Sequence, residues 1–225
     1  VHHTVRILNI QQVTHNVRRY VLEKPAGYRF EPGQATELSL DEEGWRDKKH
    51  PFTFTALNDW DDLEFTIKSY FNTGGDGMTE RLFGYGPGQK LVLRDPWGTI
   101  TYKGPGTFIA GGAGVTPFIA ILRQLHQDGK LAGHRLIASN RKAEDIILRD
   151  EFEAMAGLEV TWTVTDEPNA TGVLHARIDE AFLKRHVHDI SQNFYLCGPD
   201  PMVADLKAAL GGLGAAAEAL TWEKP

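Results

Sequence analysis

Three short stretches carry residue types whose spacing suits chemistry. In FIAGGAGVTPFIAIL, residues Phe108 to Leu122, an apolar run ends at Gly111 and Gly112. Gly114 follows, and Thr116-Pro117 opens a run of apolar residues at helical spacing. A helix that starts directly after a strand presents unpaired N–H groups and the positive end of its dipole, which suits a pyrophosphate, and glycine lets the backbone come close. The form is GxGxxP, with Pro117 where the dinucleotide fingerprint has its last glycine; alone it reads equally as a tight strand-to-helix turn. In HPFTFT, His50 to Thr55, a period of two sets Phe52 and Phe54 on one face and Thr53 and Thr55 on the other, as in any sandwich strand with an aromatic face. In YLCGPDPMV, Tyr195 to Val203, a strand ends in Cys197-Gly198-Pro199 and a helix follows. The cysteine then stands at the carboxyl edge of a sheet, where α/β proteins bind ligands; alone it reads as an inert, buried thiol.

The elements that must hold these stretches change character along the chain. Up to about Lys103, short runs rich in β-branched and aromatic residues (Val5–Ile10, Arg18–Glu23, Ala35–Ser39, Phe52–Ala56, Leu63–Ile67 and Lys90–Arg94) alternate with Gly- and Pro-containing turns. That rhythm predicts an antiparallel sandwich or barrel, with one short helix near Thr79–Phe83. KGPG, residues 103–106, reads as a linker. Beyond it strands at Thr107–Ala110, Arg135–Ser139, Glu159–Thr165, Phe194–Cys197 and Ala219–Trp222 alternate with helices at Pro117–Gln127, Ala143–Ala156, Asp179–His186 and Pro199–Leu210. Such alternation predicts a Rossmann-like parallel sheet covered on both faces. The expected organisation is an N-terminal β-barrel, residues 1–103, followed by an α/β nucleotide-binding domain, residues 104–225.

Composition narrows the classes. The chain has 225 residues, 41% apolar and 24% charged, with a formal net charge of −6. A general nucleic-acid binder is not expected. The single cysteine, Cys197, excludes an internal disulfide framework and a four-cysteine iron–sulfur site within this sequence. No window approaches a membrane span and no signal peptide is visible, so a cytoplasmic location is the expectation. The nine histidines include no pair with a third ligand in view, and no metal is expected.

In this order and spacing the motifs resemble those of the ferredoxin–NADP reductase family, especially its flavodoxin-reductase-like members without an iron–sulfur domain. HPFTFT resembles the flavin motif Arg-x-Tyr/Phe-Ser/Thr, GGAGVTP the dinucleotide pyrophosphate motif, YLCGPDPM the nicotinamide-side Cys-Gly-Pro motif, and TWEKP the terminal segment with its acidic residue. The resemblance covers essentially the whole chain. It implies a barrel that binds FAD and an α/β domain that binds NADH or NADPH. It further implies a flavin-dependent NAD(P)H reductase that passes electrons to a separate acceptor such as flavodoxin, ferredoxin or a small molecule.

The resemblance assigns His50, Pro51, Phe52 and Thr53 to the flavin, with Thr53 near N5. Ile67 and Lys68 would contact the isoalloxazine edge through their backbone. Gly77, Met78 and Thr79 would hold the flavin phosphates, and Thr79 also suits a helix N-cap. Gly112, Gly114, Thr116 and Pro117 fall to the dinucleotide, as do Cys197, Gly198 and Pro199. Cys197 would position the nicotinamide, since hydride transfer needs no thiolate, and Glu223 would stabilise charge or relay protons. Arg141 and Asp166 match the adenosine end, and Asp166 favours NADH because a carboxylate repels a 2′-phosphate and accepts from a ribose hydroxyl.

Two departures stand out. His50 replaces the family's arginine, so Lys48 or Lys49 would have to supply a permanent charge. The family's terminal aromatic is also missing, because Pro225 stands two residues after Glu223. The alternatives are a free-flavin or ferric reductase with a diffusible acceptor, and a non-catalytic flavin- or dinucleotide-binding regulatory module.

Overall fold

A computed structural model describes residues 1–71, 74–75 and 77–223; Lys224 and Pro225 of the terminal segment lie outside the described residues. The first half contains β1 (His2–Thr14), β2 (Val17–Leu22), β3 (Gln34–Leu40), β4 (His50–Thr53), β5 (Leu63–Lys68), α1 (Met78–Phe83), β6 (Lys90–Arg94) and β7 (Trp97–Gly98). Its strands run antiparallel in the order β4-β3-β6-β1-β2-β5, with β7 on β3. This is a nearly closed barrel. Alternation along LEFTIK drives one face inward: Leu63, Phe65 and Ile67 join Tyr20, Leu38, Phe54 and Leu91 in one buried core, where Phe54 stacks on Phe30 with centroids 4.2 Å apart.

The barrel is split at one place. Pro51 has no N–H to give a second neighbour, which confines its strand to an edge. Accordingly β4 pairs only with β3, and it meets β5 at the single bridge Phe54–Phe65. Continuing that register would set Phe52 opposite Ile67 and Pro51 opposite Lys68, but no ladder forms there among the described residues. The two segments assigned to the flavin therefore flank this break in the sheet path.

The second half contains β8 (Gly106–Gly111), α2 (Thr116–Gln127), β9 (His134–Asn140), α3 (Arg149–Glu153), β10 (Leu158–Val164), β11 (Leu174–His175), α4 (Glu180–His186), β12 (Asn193–Cys197), α5 (Asp200–Gly212) and β13 (Leu220–Trp222). The sheet order is β11-β10-β9-β8-β12-β13, and every pairing is parallel. The chain adds β9 to β11 on one side of β8 and β12 and β13 on the other, which makes the carboxyl ends of β8 and β12 the switch point of the sheet. Phe108 and Ala110 face one core and Ile109 faces the other, so both faces are covered. KGPG is pinned rather than loose: the Tyr195 hydroxyl accepts from Lys103 N at 2.8 Å and donates to Gly104 O at 2.7 Å.

Three local expectations differ. The helix expected over Ala143–Ala156 is broken into a 3-10 turn, Ala143–Asp145, and the short α3. Side chains hold the turn apart from the helix, with Asp145 accepting from Lys142 N and Glu167 from Ala143 N. Between them Ile146 and Ile147 sink into the core and Leu148 takes φ 54°. Thr79 is not an N-cap, because Gly77 occupies that position and Thr79 lies inside α1, accepting from Tyr70 N at 3.2 Å. β7 and β11, of two residues each, carry too little pattern to be seen in sequence. No helix among the described residues is long and apolar enough to cross a membrane.

Candidate functional site

β8 and β12 are neighbours, with Ala110 paired to Cys197, so the glycine loop and the Cys-Gly-Pro loop leave the sheet side by side. Their glycines serve this approach. A Cβ on Gly114 would stand 2.5 Å from Cys197 O and 2.7 Å from Gly198 Cα, and one on Gly111 would stand 2.3 Å from Met202 Sδ. Gly112 differs: it has φ +55° and open space where a Cβ would point. Of the glycines assigned to a dinucleotide, Gly114 is thus required first by the fold, while Gly112 presents bare backbone to the cleft. Thr116 begins α2, its hydroxyl donating to Ala113 O at 3.0 Å, and Pro117 sits buried in the first turn, where its missing N–H costs nothing.

The Cys197 thiol donates to Glu223 Oε2 at 3.1 Å. β13 makes this possible by running parallel to β12, with Leu196 opposite Trp222. Burial pushes the thiol pKa well above its ordinary value, and the Glu223 charge pushes it further. Cys197 is therefore a thiol and not a thiolate at neutral pH, which fits positioning rather than nucleophilic attack.

A cleft of about 930 Å³ joins the halves. Lys68 and Tyr70 line it from the barrel, and Gly112, Thr116, Arg141, Cys197, Pro199 and Glu223 from the α/β half. A second hollow of about 1040 Å³ shares Ser139, Pro199 and Met202 with it and extends past Thr165 to Arg177 and Asp205. Together they follow the carboxyl edge of the sheet, and their size and bare-backbone lining suit an extended dinucleotide. The split between β4 and β5, with Thr53 buried at its closed end and Phe52 packed on the barrel core, leaves two strand edges without a ladder among the described residues, which suit the polar rim of a flat ring system. His50 is exposed at the start of β4, and the Lys48 ammonium lies 4.3 Å over the Trp45 ring.

Arg141 and Asp166 pair at 2.8 Å. The guanidinium holds the Asp166 carboxyl below the usual range. The two residues expected at the adenosine end thus engage each other at the surface.

Two groups were not singled out from sequence. His15 Nε2 lies 2.6 Å from Asp145 across the cleft mouth, and Glu144 is beside them. Arg123, in the middle of α2, is 8% exposed and bonds to Glu64, Thr55 and Glu151. A lone arginine inside the apolar run FIAILRQL was its only sequence signal.

Comparison with known proteins agrees with this geometry. Residues 108–208 match the family described as an oxidoreductase NAD-binding domain. The solved ferredoxin NADP+ reductase of Neisseria gonorrhoeae, with bound FAD and NADP, superposes with a TM-score of 0.83 at 22% identity, covering 99% of this chain and 98% of that one. The chain shares the two-domain fold of that reductase. It is also similar to the propane 2-monooxygenase reductase component of Rhodococcus jostii, 29% identical over 88% of this chain and 56% of that protein. NADH-cytochrome b5 reductase 2 of Mycosarcoma maydis is 24% identical over 93% of this chain and 65% of that protein. The chain therefore spans between half and two thirds of these relatives' length.

Proposed function

We propose that the chain is an NAD(P)H-dependent flavoprotein oxidoreductase, with residues 1–103 forming an FAD-binding barrel and residues 104–225 an NAD(P)-binding α/β domain. The observation that carries this reading is a single cleft lined both by Lys68, at the open end of the barrel split, and by the Cys197–Glu223 pair at the switch point. A flavin, when bound, supplies a hydride acceptor for the nicotinamide and an outlet for electrons. This chain's residues bind and orient.

Phe52 and Thr53 with Ile67 and Lys68 hold the ring on either side of the split; His50, Pro51 and the Gly77-Met78-Thr79 helix start hold the rest of the flavin. Gly112, Gly114 and Pro117 receive the pyrophosphate side of the dinucleotide, and Thr116, Gly198 and Pro199 border the nicotinamide. Cys197 keeps its proton and packs, with Glu223 fixing its rotamer and supplying a proton acceptor. Arg141 and Asp166 border the adenosine, and NADH is preferred.

Electrons leave to a separate acceptor. The relatives' names favour a protein partner such as an oxygenase component or a cytochrome b5 over flavodoxin or ferredoxin. The test is an absorption spectrum of the purified protein supplied with FAD, followed by anaerobic NADH and then NADPH. Loss of flavin on gel filtration with retained turnover on added flavin would assign the chain instead to free-flavin reduction. Binding of either cofactor without reduction would assign it to a regulatory role.

A further inference from the structure

We infer that Arg123 is a positioning residue that sets the barrel against the α/β half and so fixes the two ring sites relative to each other; this rests on the function proposed above. Arg123 sits on α2, seven residues after Thr116. Seven residues are close to two helical turns, so both side chains leave the same face of the helix. Thr116 ends in the cleft, and Arg123 ends on the barrel.

The contacts are specific. Arg123 Nη1 donates to Thr55 O at 2.7 Å and to Glu64 Oε1 at 2.6 Å, both on the barrel. Nε and Nη2 form a two-pronged bond to Glu151 on α3, at 2.8 and 2.7 Å. Glu64 is itself buried and takes the Thr55 hydroxyl at 2.8 Å, while Thr55 also meets Thr66 at 3.2 Å. Arg19 lies 3.6 Å from the other Glu64 oxygen, so two cations and two carboxylates balance. Burial works against the arginine's charge, but Glu151 and Glu64 outweigh it and raise its pKa. The Trp60 ring stands 5.4 Å from the guanidinium.

Position gives this cluster its consequence. Thr55 follows Thr53 by two residues on the segment that leaves β4, and Glu64 and Thr66 flank Phe65 on β5, at the Phe54–Phe65 bridge where the barrel split closes. One guanidinium therefore ties both walls of the split to the helix whose first turn borders the Cys197 pair. A planar fork bonded on two sides has little freedom, which a lysine's point charge cannot reproduce. The geometry of hydride transfer tolerates little displacement; a shift of about 1 Å can cost up to about a hundredfold in rate.

The experiment compares wild type, Arg123→Lys and Arg123→Gln. Scanning calorimetry of the protein without added cofactor should give one shared transition in wild type. Arg123→Gln should separate the halves into two transitions, and Arg123→Lys should broaden or partly separate them while remaining folded. In protein loaded with FAD, rapid-mixing reduction by NADH should slow by about tenfold or more in Arg123→Lys, with the NADH dissociation constant changed far less. A single sharp transition in both variants overturns the inference. So does an unchanged reduction rate in Arg123→Lys where the wild type is reduced. If the wild type is reduced by neither dinucleotide, the proposed function fails, and calorimetry alone still decides whether Arg123 couples the halves.

Discussion

Gly114 and Cys197 belong to different motifs 83 residues apart, yet a single added carbon on the glycine would stand 2.5 Å from the cysteine's carbonyl oxygen. The bare backbone of the glycine loop is first a packing requirement between two loops at the switch point, and only then a surface for a ligand. Gly114→Ala must displace backbone, which should destabilise the fold by about 3 kcal/mol. Gly112→Ala meets open space and carries only the left-handed backbone cost of about 1–2 kcal/mol. Urea unfolding of the two variants checks this order. If Gly112 also faces the pyrophosphate, Gly112→Ala should weaken NADH binding while keeping the fold.

Cys197 should be unreactive. Its thiol pKa is raised by burial and by Glu223, so alkylation by iodoacetamide at pH 8 should be far slower in the folded protein than in urea. The same shift makes stability pH-dependent. The contribution is fully present below the unfolded thiol's pKa, near 9.0, and is lost as pH rises toward the higher folded value. Tyr20 and Tyr28, raised from 10.0 to about 12 by burial, add a later loss that begins above pH 10. Cys197→Ser should therefore flatten the stability curve between about pH 9 and 10 and leave the steeper fall above it, measured by thermal unfolding across pH.

Cofactor choice should respond to the Arg141–Asp166 pair. Asp166→Asn frees Arg141 from its 2.8 Å partner, leaving it available to a 2′-phosphate. About 1.4 kcal/mol of discrimination is tenfold, and the NADPH-to-NADH ratio of kcat/KM should rise at least that far. Arg141→Ala in the same background should return the ratio most of the way. An unchanged ratio would place the adenosine elsewhere.

His50 should limit flavin affinity. It stands exposed at the start of β4, where the related motif has arginine, whose planar fork can bond a phosphate on two oxygens. At one fixed pH, His50→Arg should tighten FAD binding by about tenfold. An unchanged affinity would assign the phosphate to Lys48 or Lys49.

The sequence announced the barrel, the parallel sheet and the glycine and Cys-Gly-Pro loops that line the cleft because each rests on local periodicity or on Gly and Pro, whose effects are local. It was silent where a residue's role depends on a surface brought from the other half. Glu64 and Thr66 occupy the outward positions of LEFTIK and would face water on an isolated barrel; in the fold they are 4% and 5% exposed, with Glu64 bonded to Arg123 of α2. Arg123 could be seen as odd in an apolar helix, but its partners could not. The broken helix after Ala143 was illegible for a related reason. Its periodicity is helical, and only side-chain bonds from Asp145 and Glu167 hold its first turn apart.

The most direct test of the account is anaerobic titration of the FAD-supplied protein with NADH, followed by absorbance in the visible flavin band. The account predicts a yellow protein that bleaches with one equivalent of NADH per flavin and responds less readily to NADPH. A protein that takes up neither FAD nor FMN, or that holds flavin unbleached in the presence of both dinucleotides, would contradict it.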